Sequence, residues 1–222
     1  CIEAQEGTVK IEIVDPENPQ NIIGFKDFPV HVQPYLHWDA MKYAGTLPAF
    51  MQPNDPLIAK VLKSAGEYAA QMGISMFGYQ GRSRDTVVKQ AECIYRALQD
   101  ANLHYISSPA SFERAGQKIR IPHQVLHEDS GQGTCLDLAI LYASCLEAAS
   151  LFSMLILIPG HAFAGVWLES SRSLDRSMMV RGEITEEVWS VIESDMLPVE
   201  CTTFTDGRDI SWLWDSDFEQ LK

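Results

Sequence analysis

The chain has 222 residues, 46% of them apolar and 21% charged, with 14 Gly and 11 Pro. That composition excludes collagen-like, low-complexity and disordered classes, and the length suits one real core. The longest apolar runs, such as Met154 to Pro159, fall far short of the ~20 residues that cross a bilayer, and the chain opens at Cys1 without a basic, apolar leader.

The net charge of −13 is unevenly placed. Arg181 to Lys222 carries 3 bases against 11 acids and residues 1–30 carry 2 against 6, so the middle of the chain is nearly neutral. A broadly acidic surface repels phosphate backbones, and no direct nucleic-acid ligand is expected. The local basic group Arg114, Lys118 and Arg120 reads as a solvated face. The five cysteines (Cys1, Cys93, Cys135, Cys145, Cys201) show no CxxC pair and no regular spacing. Neither a disulfide framework nor a zinc knuckle follows. His31, His37, His104, His123 and His127 form no metal spacing either, so no metal or cofactor is expected. Free thiols point to a reducing compartment, the cytoplasm. Cys1 itself fits a domain boundary or an artificial chain end as well as the lipidated first residue of an exported protein.

In chain order, residues 8–14 alternate with period two and predict a strand, the cluster Asp15-Pro16-Glu17-Asn18-Pro19 a turn, and Phe28 to Val32 a returning strand. Two strands alone are marginal. Residues 1–37 therefore read as the end of an N-terminal β-sandwich-like segment, and 38–222 as a separate domain. Pro56 to Met72 and Asp85 to Ala101 carry apolar residues at helical spacing, with Asn54 or Asp55 able to cap the first. Asn102 to Ile106 reads as an extended link and 107–133 as a loop. Cys135 to Ala149 is apolar almost all round, the mark of a buried helix. Strands follow at Met154 to Ile158 and His161 to Glu169, across a Pro159-Gly160 turn. A short helix near Glu186 to Ile192 and a strand at Leu197 to Phe204 complete the body. Helices followed by an antiparallel sheet argue α+β.

The chemistry concentrates around Gly131-Gln132-Gly133-Thr134-Cys135-Leu136-Asp137. Thr134 is a good N-cap, and Asp137 stands where a capping-box partner belongs. Cys135 then opens a buried helix, where unpaired N–H groups stabilise a thiolate. The two glycines permit close approach of another backbone or of a substrate. Cys93 and Cys145, on apolar helical faces, read as core. A thiolate nucleophile needs a base in hydrogen-bond reach, and His161 lies 26 residues downstream, just past a buried strand and a turn. Gln132, with the Cys135 amide, is a candidate oxyanion donor. Trp189, Trp212 and Trp214 read as packing residues, and the acidic tail from Asp206 to Glu219 as a solvated face.

These residues resemble the transglutaminase-like superfamily of cysteine proteases and acyltransferases. Gly133-Thr134-Cys135-Leu136-Asp137-Leu138-Ala139, Gly160-His161-Ala162-Phe163 with Val166-Trp167-Leu168, and Leu197-Pro198-Val199-Glu200-Cys201-Thr202 are similar to its Cys, His and Asp blocks in that order. Ile94-Tyr95 and Tyr105 resemble its lead-in helix and extended segment, so the likeness covers about residues 83–205. Gly116-Gln117-Lys118-Ile119-Arg120 and Gly160 to Trp167 look more narrowly like the transglutaminase-like module of large bacterial proteins with helicase and nuclease regions. That implies a cytoplasmic fragment of a longer chain, working beside other domains. One departure stands out: the family has Asp-Pro-Thr where this chain has Glu200-Cys201-Thr202.

The resemblance implies a papain-like α+β core, its nucleophile helix packed on an antiparallel sheet. Cys135 is then the nucleophile, His161 the general base and acid, and Glu200 the residue that orients His161. Asp175 and Asp195 are the rival acids. Gly133, Gly160 and Trp167 join Gln132 as candidate oxyanion or substrate-binding residues. The expected reaction is acyl transfer from the amide of a protein or peptide, proteolysis first. Transamidation or deamidation of glutamine, or a silent peptide-binding module, are the alternatives.

Overall fold

The computed structural model describes residues 5–81, 83–107, 116–127, 131–170 and 194–207. The expected helix near 186–192, the tryptophans at 189, 212 and 214, Asp175, Arg114, Cys1 and all of the acidic tail but Asp206 and Gly207 lie outside them.

β1 (Gln5–Val14) and β2 (Ile22–Val32) form an antiparallel hairpin. Asp15 closes its turn by accepting from the Glu17 N–H at 2.9 Å. β2 begins six residues earlier than its alternation suggests, and its pairing with β1 shifts register at Ile13/Val14. Directly paired residues share a face, so Val9, Ile11, Ile13, Phe28, Val30 and Val32 stand together. Most of that face is open to solvent, and no hairpin residue belongs to either buried cluster of the molecule.

After β3 (His37–Trp38), α1 (Ala40–Tyr43) and a 3-10 segment (Ala44–Phe50) comes α2 (Pro56–Gln71). Its start is the expected one: Asp55 caps the Leu57 N–H at 2.7 Å and Pro56 fills the first position. Ile58, Val61, Ala65 and Ala69 recur along its buried face and meet α3 (Arg84–Asp100), which buries Val87, Ala91, Ile94, Tyr95 and Leu98. Each fully buried Val, Leu or Ile among them contributes about 1.5–3 kcal/mol, the alanines less. Between the two helices Gly78, at φ 58°, lies so near the Ser150 carbonyl that a Cβ would come within 2.8 Å of it. The buried Gln90 amide locks this bend, accepting from the Gly78 N–H and donating to its carbonyl.

The stretch 107–133 is less of a loop than its polarity suggests. It holds β5 (Gln117–Lys118), α4 (Pro122–Val125) and β6 (Gln132–Gly133). β5 pairs antiparallel with β3, and β6 pairs parallel with β4 (His104–Tyr105). Elements of two to four residues carry no readable period. α5 (Cys135–Ala148) follows, buried continuously from Leu136 to Leu146.

α5 lies against β7 (Ser153–Ile158) and β8 (His161–Trp167) of an antiparallel sheet that β9 (Met196–Val199) completes, with β8 in the middle. The architecture is α+β. Ile158 pairs with His161 across Pro159-Gly160, and Gly160 at φ 80° supplies the positive φ of a type II turn with Pro before it. The expected strand at 197–204 ends at Val199. Glu200 turns the chain instead into a 3-10 segment, Cys201–Thr205. Its carboxylate takes the Thr202 N–H at 2.9 Å and the Thr202 hydroxyl at 2.7 Å, a local bond set that competes with sheet pairing.

Candidate active site

Cys135 is the first residue of α5. Thr134 caps the helix, its hydroxyl accepting from the Asp137 N–H at 3.3 Å while the Asp137 carboxylate accepts from the Thr134 N–H at 3.0 Å. Such a cap contributes about 1 kcal/mol and fixes the backbone at the nucleophile. Upstream, Gly133 is buried against the helix, where a Cβ would meet Asp137 Cβ at 3.1 Å and Leu138 Cδ2 at 3.2 Å. Its carbonyl accepts from the Ile106 N–H at 3.0 Å. The close approach that this loop permits is therefore by the β4 backbone and by α5 itself.

β8 delivers the partner. His161 is its first residue, next to α5. The imidazole Nε2 lies 2.5 Å from Glu200 Oε2, and the ring is hydrogen-bonded also to the Cys135 thiol, which leaves Nδ1 for the sulfur. The Ala162 N–H from β8 and the Leu136 N–H from the helix end reach the sulfur as well. Glu200 is held from behind by α3. Its carbonyl accepts from the Thr203 hydroxyl at 2.7 Å, and that hydroxyl is 2.7 Å from the buried Tyr95 phenol. Phe204 packs edge-on against the same tyrosine, with ring centroids 5.7 Å apart.

The electrostatics favour an ion pair. Burial pushes the Cys135 thiol up, but the His161 hydrogen bond and charge and the two backbone N–H groups outweigh it, and the thiol ends below its ordinary value. Bonds to Cys135 and Glu200 raise His161 to about 10 against the opposing pull of burial. Burial pushes the Glu200 carboxyl up, yet the bonds from His161 and Thr202 bring it below the usual value. The other described thiols go the opposite way: burial raises Cys93 to about 11 and drives Cys145 and Cys201 higher still. A thiolate beside an imidazolium, with a carboxylate behind the ring, can attack a carbonyl carbon and protonate the group it expels.

Cys135, His161 and Glu200 thus meet, though Glu200 reaches His161 from a turn rather than from the strand expected. Gln132 lies in β6, paired with His104. Gly160 sits in the exposed turn before His161, with no group within 4 Å of where a Cβ would stand. Trp167 is not in the site. It lies six residues along β8 from His161, about 20 Å at strand rise, and is buried with its carbonyl accepting from the Tyr79 hydroxyl at 2.7 Å. Asp195 is engaged elsewhere, with Arg84 at 2.9 Å.

Two residues join the site that spacing alone does not select as site residues. Tyr105 pairs with Gly133 through the β4–β6 ladder, and burial together with the charges of Cys135 and Glu200 raises its phenol. At 47% exposure it is an O–H donor open to solvent and within electrostatic reach of Cys135. Arg120, which reads as part of a solvated basic face, instead bonds the buried Asp137. A parallel two-residue ladder and a contact across 17 residues leave no periodic trace; only the resemblance touches these positions.

Among the described residues no group of His, Cys, Asp and Glu could hold a metal ion, and no helix is long and apolar enough to cross a membrane. No protein-family model, curated protein or solved structure matches the chain.

Proposed function

We propose that this chain is a thiol-dependent acyl transferase of the transglutaminase-like, papain-like type, acting on peptide amides and first of all as a cysteine protease. The observation that carries the reading is the hydrogen-bonded series Cys135–His161–Glu200, with the sulfur at the N-terminus of a buried helix.

The Cys135 thiolate attacks the amide carbonyl carbon, and the electron pair of the carbonyl moves to its oxygen. The imidazolium Nδ1–H then protonates the amide nitrogen, the C–N bond breaks, and an amine leaves a thioester on Cys135. Water, deprotonated by the now neutral His161, attacks the thioester and releases a carboxylic acid. Sulfur and imidazolium are thereby restored. Glu200 keeps the Nε2–H tautomer and stabilises the positive ring in both halves of the cycle. The Tyr105 phenol and the backbone N–H groups at the start of α5 are the donors available to the carbonyl oxygen as its charge grows.

A protein or peptide is the substrate, water the first acceptor, and the cytoplasm the compartment that keeps four such thiols reduced. A thiol-reactive peptide probe, followed by a fluorogenic peptide library with and without a primary amine, tests the reading. Labelling confined to Cys135 with peptide hydrolysis supports it. Amine incorporation without hydrolysis moves the chain to transamidation. Absence of both labelling and turnover makes it a peptide-binding module.

A further inference from the structure

The Asp137 side chain is fully buried two residues from the nucleophile. Its Oδ2 accepts from the Thr134 N–H at 3.0 Å and from Arg120 Nη1 at 3.1 Å, and its Oδ1 from the Arg120 N–H at 2.8 Å. An enclosed carboxylate is costly unless paired. This one also sits at the helix end whose partial positive charge favours a thiolate. Left alone, its negative charge opposes that field at the Cys135 sulfur.

Arg120 brings the compensating charge on a segment with little freedom. Its neighbour Ile119 is fully buried and donates its N–H to the Leu36 carbonyl at 2.7 Å, and Gln117–Lys118 pair with β3. The Arg120 side chain keeps 27% of its surface exposed. The guanidinium therefore reaches from the wall beside the nucleophile into the capping box.

We propose that Arg120 is a positioning residue for the nucleophile: by neutralising Asp137 inside the capping box, it keeps the start of α5 favourable to the Cys135 thiolate. The inference rests on Cys135 being the activated thiol. The other titratable groups around the sulfur are His161 from β8, Tyr105 from β4, and Glu200 and Cys201 from the turn after β9. The substitutions below leave all of them in place.

The test is the rate of Cys135 alkylation by iodoacetamide against pH, with folding checked by near-ultraviolet circular dichroism. Arg120→Gln should raise the apparent thiol pKa by about one unit, which is the interaction of unit charges about 12 Å apart at an effective dielectric near 20. Alkylation below the pKa then slows about tenfold. Asp137→Asn should shift the pKa the other way, Arg120→Lys should hold it near wild type, and the double variant Arg120→Gln/Asp137→Asn should return it to within a few tenths. A purely structural role predicts no such opposite signs. If Arg120→Gln does not fold, Asp137→Asn and the double variant read the same charge balance. Shifts of one sign in both single variants, or no downward shift in Asp137→Asn, overturn the proposal. A wild-type thiol of ordinary pKa overturns it together with the nucleophile reading, whereas a depressed wild-type thiol unmoved in every variant overturns this inference alone.

Discussion

Glu200→Gln isolates the charge behind the imidazole. The carboxylate divides its work: Oε2 faces His161 Nε2 at 2.5 Å, while Oε1 holds the Thr202 N–H and hydroxyl. A glutamine keeps the acceptor for Thr202, so the 3-10 turn survives. Its amide nitrogen then faces Nε2 as a donor, and the ring answers by accepting at Nε2 and carrying its proton on Nδ1, toward the sulfur. That neutral ring cannot take the thiol proton. The lost charge-assisted bond is worth about 1.5–3 kcal/mol, which alone is about 10- to 150-fold, and the wrong tautomer adds to it. The single-turnover acylation rate on a peptide ester or amide should therefore fall by about two decades or more, with the fold retained by circular dichroism. The His161 imidazole, followed by NMR, should titrate well below about 10. A variant acylating within about threefold of wild type would refute the assignment of Glu200 as the orienting acid.

Four further outcomes follow from the same geometry. Iodoacetamide at neutral pH should label Cys135 first by a wide margin, since Cys93, Cys145 and Cys201 are fully buried with raised thiols; comparable rates at two or more sites in peptide mapping remove the basis for a single activated sulfur. The acylation rate should climb as pH rises through the depressed Cys135 pKa and fall as pH passes about 10, where the imidazolium loses its proton; a profile still rising above that point contradicts the ion pair. Because the Glu200 carboxyl is depressed in the fold, the stability it adds is present above its unfolded pKa and disappears as pH falls through the folded one. Chemical denaturation should accordingly show Glu200→Gln weaker than wild type at pH 7 and converging with it as pH falls through the depressed folded pKa of Glu200, and a constant gap speaks against the linkage. Gly78→Ala should cost about 2 kcal/mol or more, from its positive φ and the Ser150 carbonyl beside it; a midpoint within a degree of wild type shows that the bend relaxes freely.

Long periodic elements were readable from sequence. The Asp55-Pro56 start of α2, the Thr134 cap of α5 and the Pro159-Gly160 turn each combine a local signal with an apolar pattern, and each stands where its residues indicate. Short elements were not, because β4, β5 and β6 exist only through partners distant in the chain. Glu200 illustrates the boundary between the two. Its block of residues is recognisable, but Leu197 to Phe204 alternates well enough to mimic one strand, and only the side-chain bonds to Thr202 reveal the turn. Trp167 misleads for the converse reason: it shares a motif with His161, yet extended backbone carries it far along the sheet. Arg120 looks solvated until Asp137 is seen to be buried.

The contacts of Arg84 bear on how this chain can vary. Its guanidinium meets Glu169 at 2.7 Å, the Ser194 carbonyl at 2.5 Å and Asp195 at 2.9 Å, so one side chain clasps both the exit from β8 and the approach to β9. Glu169 on one side and Ser194 and Asp195 on the other are thereby tied to α3. β8 and β9 are thus joined twice, by their own ladder and by this clasp. Variation at Arg84 is therefore felt at both strands at once, and the pairing of His161 with Glu200 rests in part on a side chain at the opposite end of the sheet.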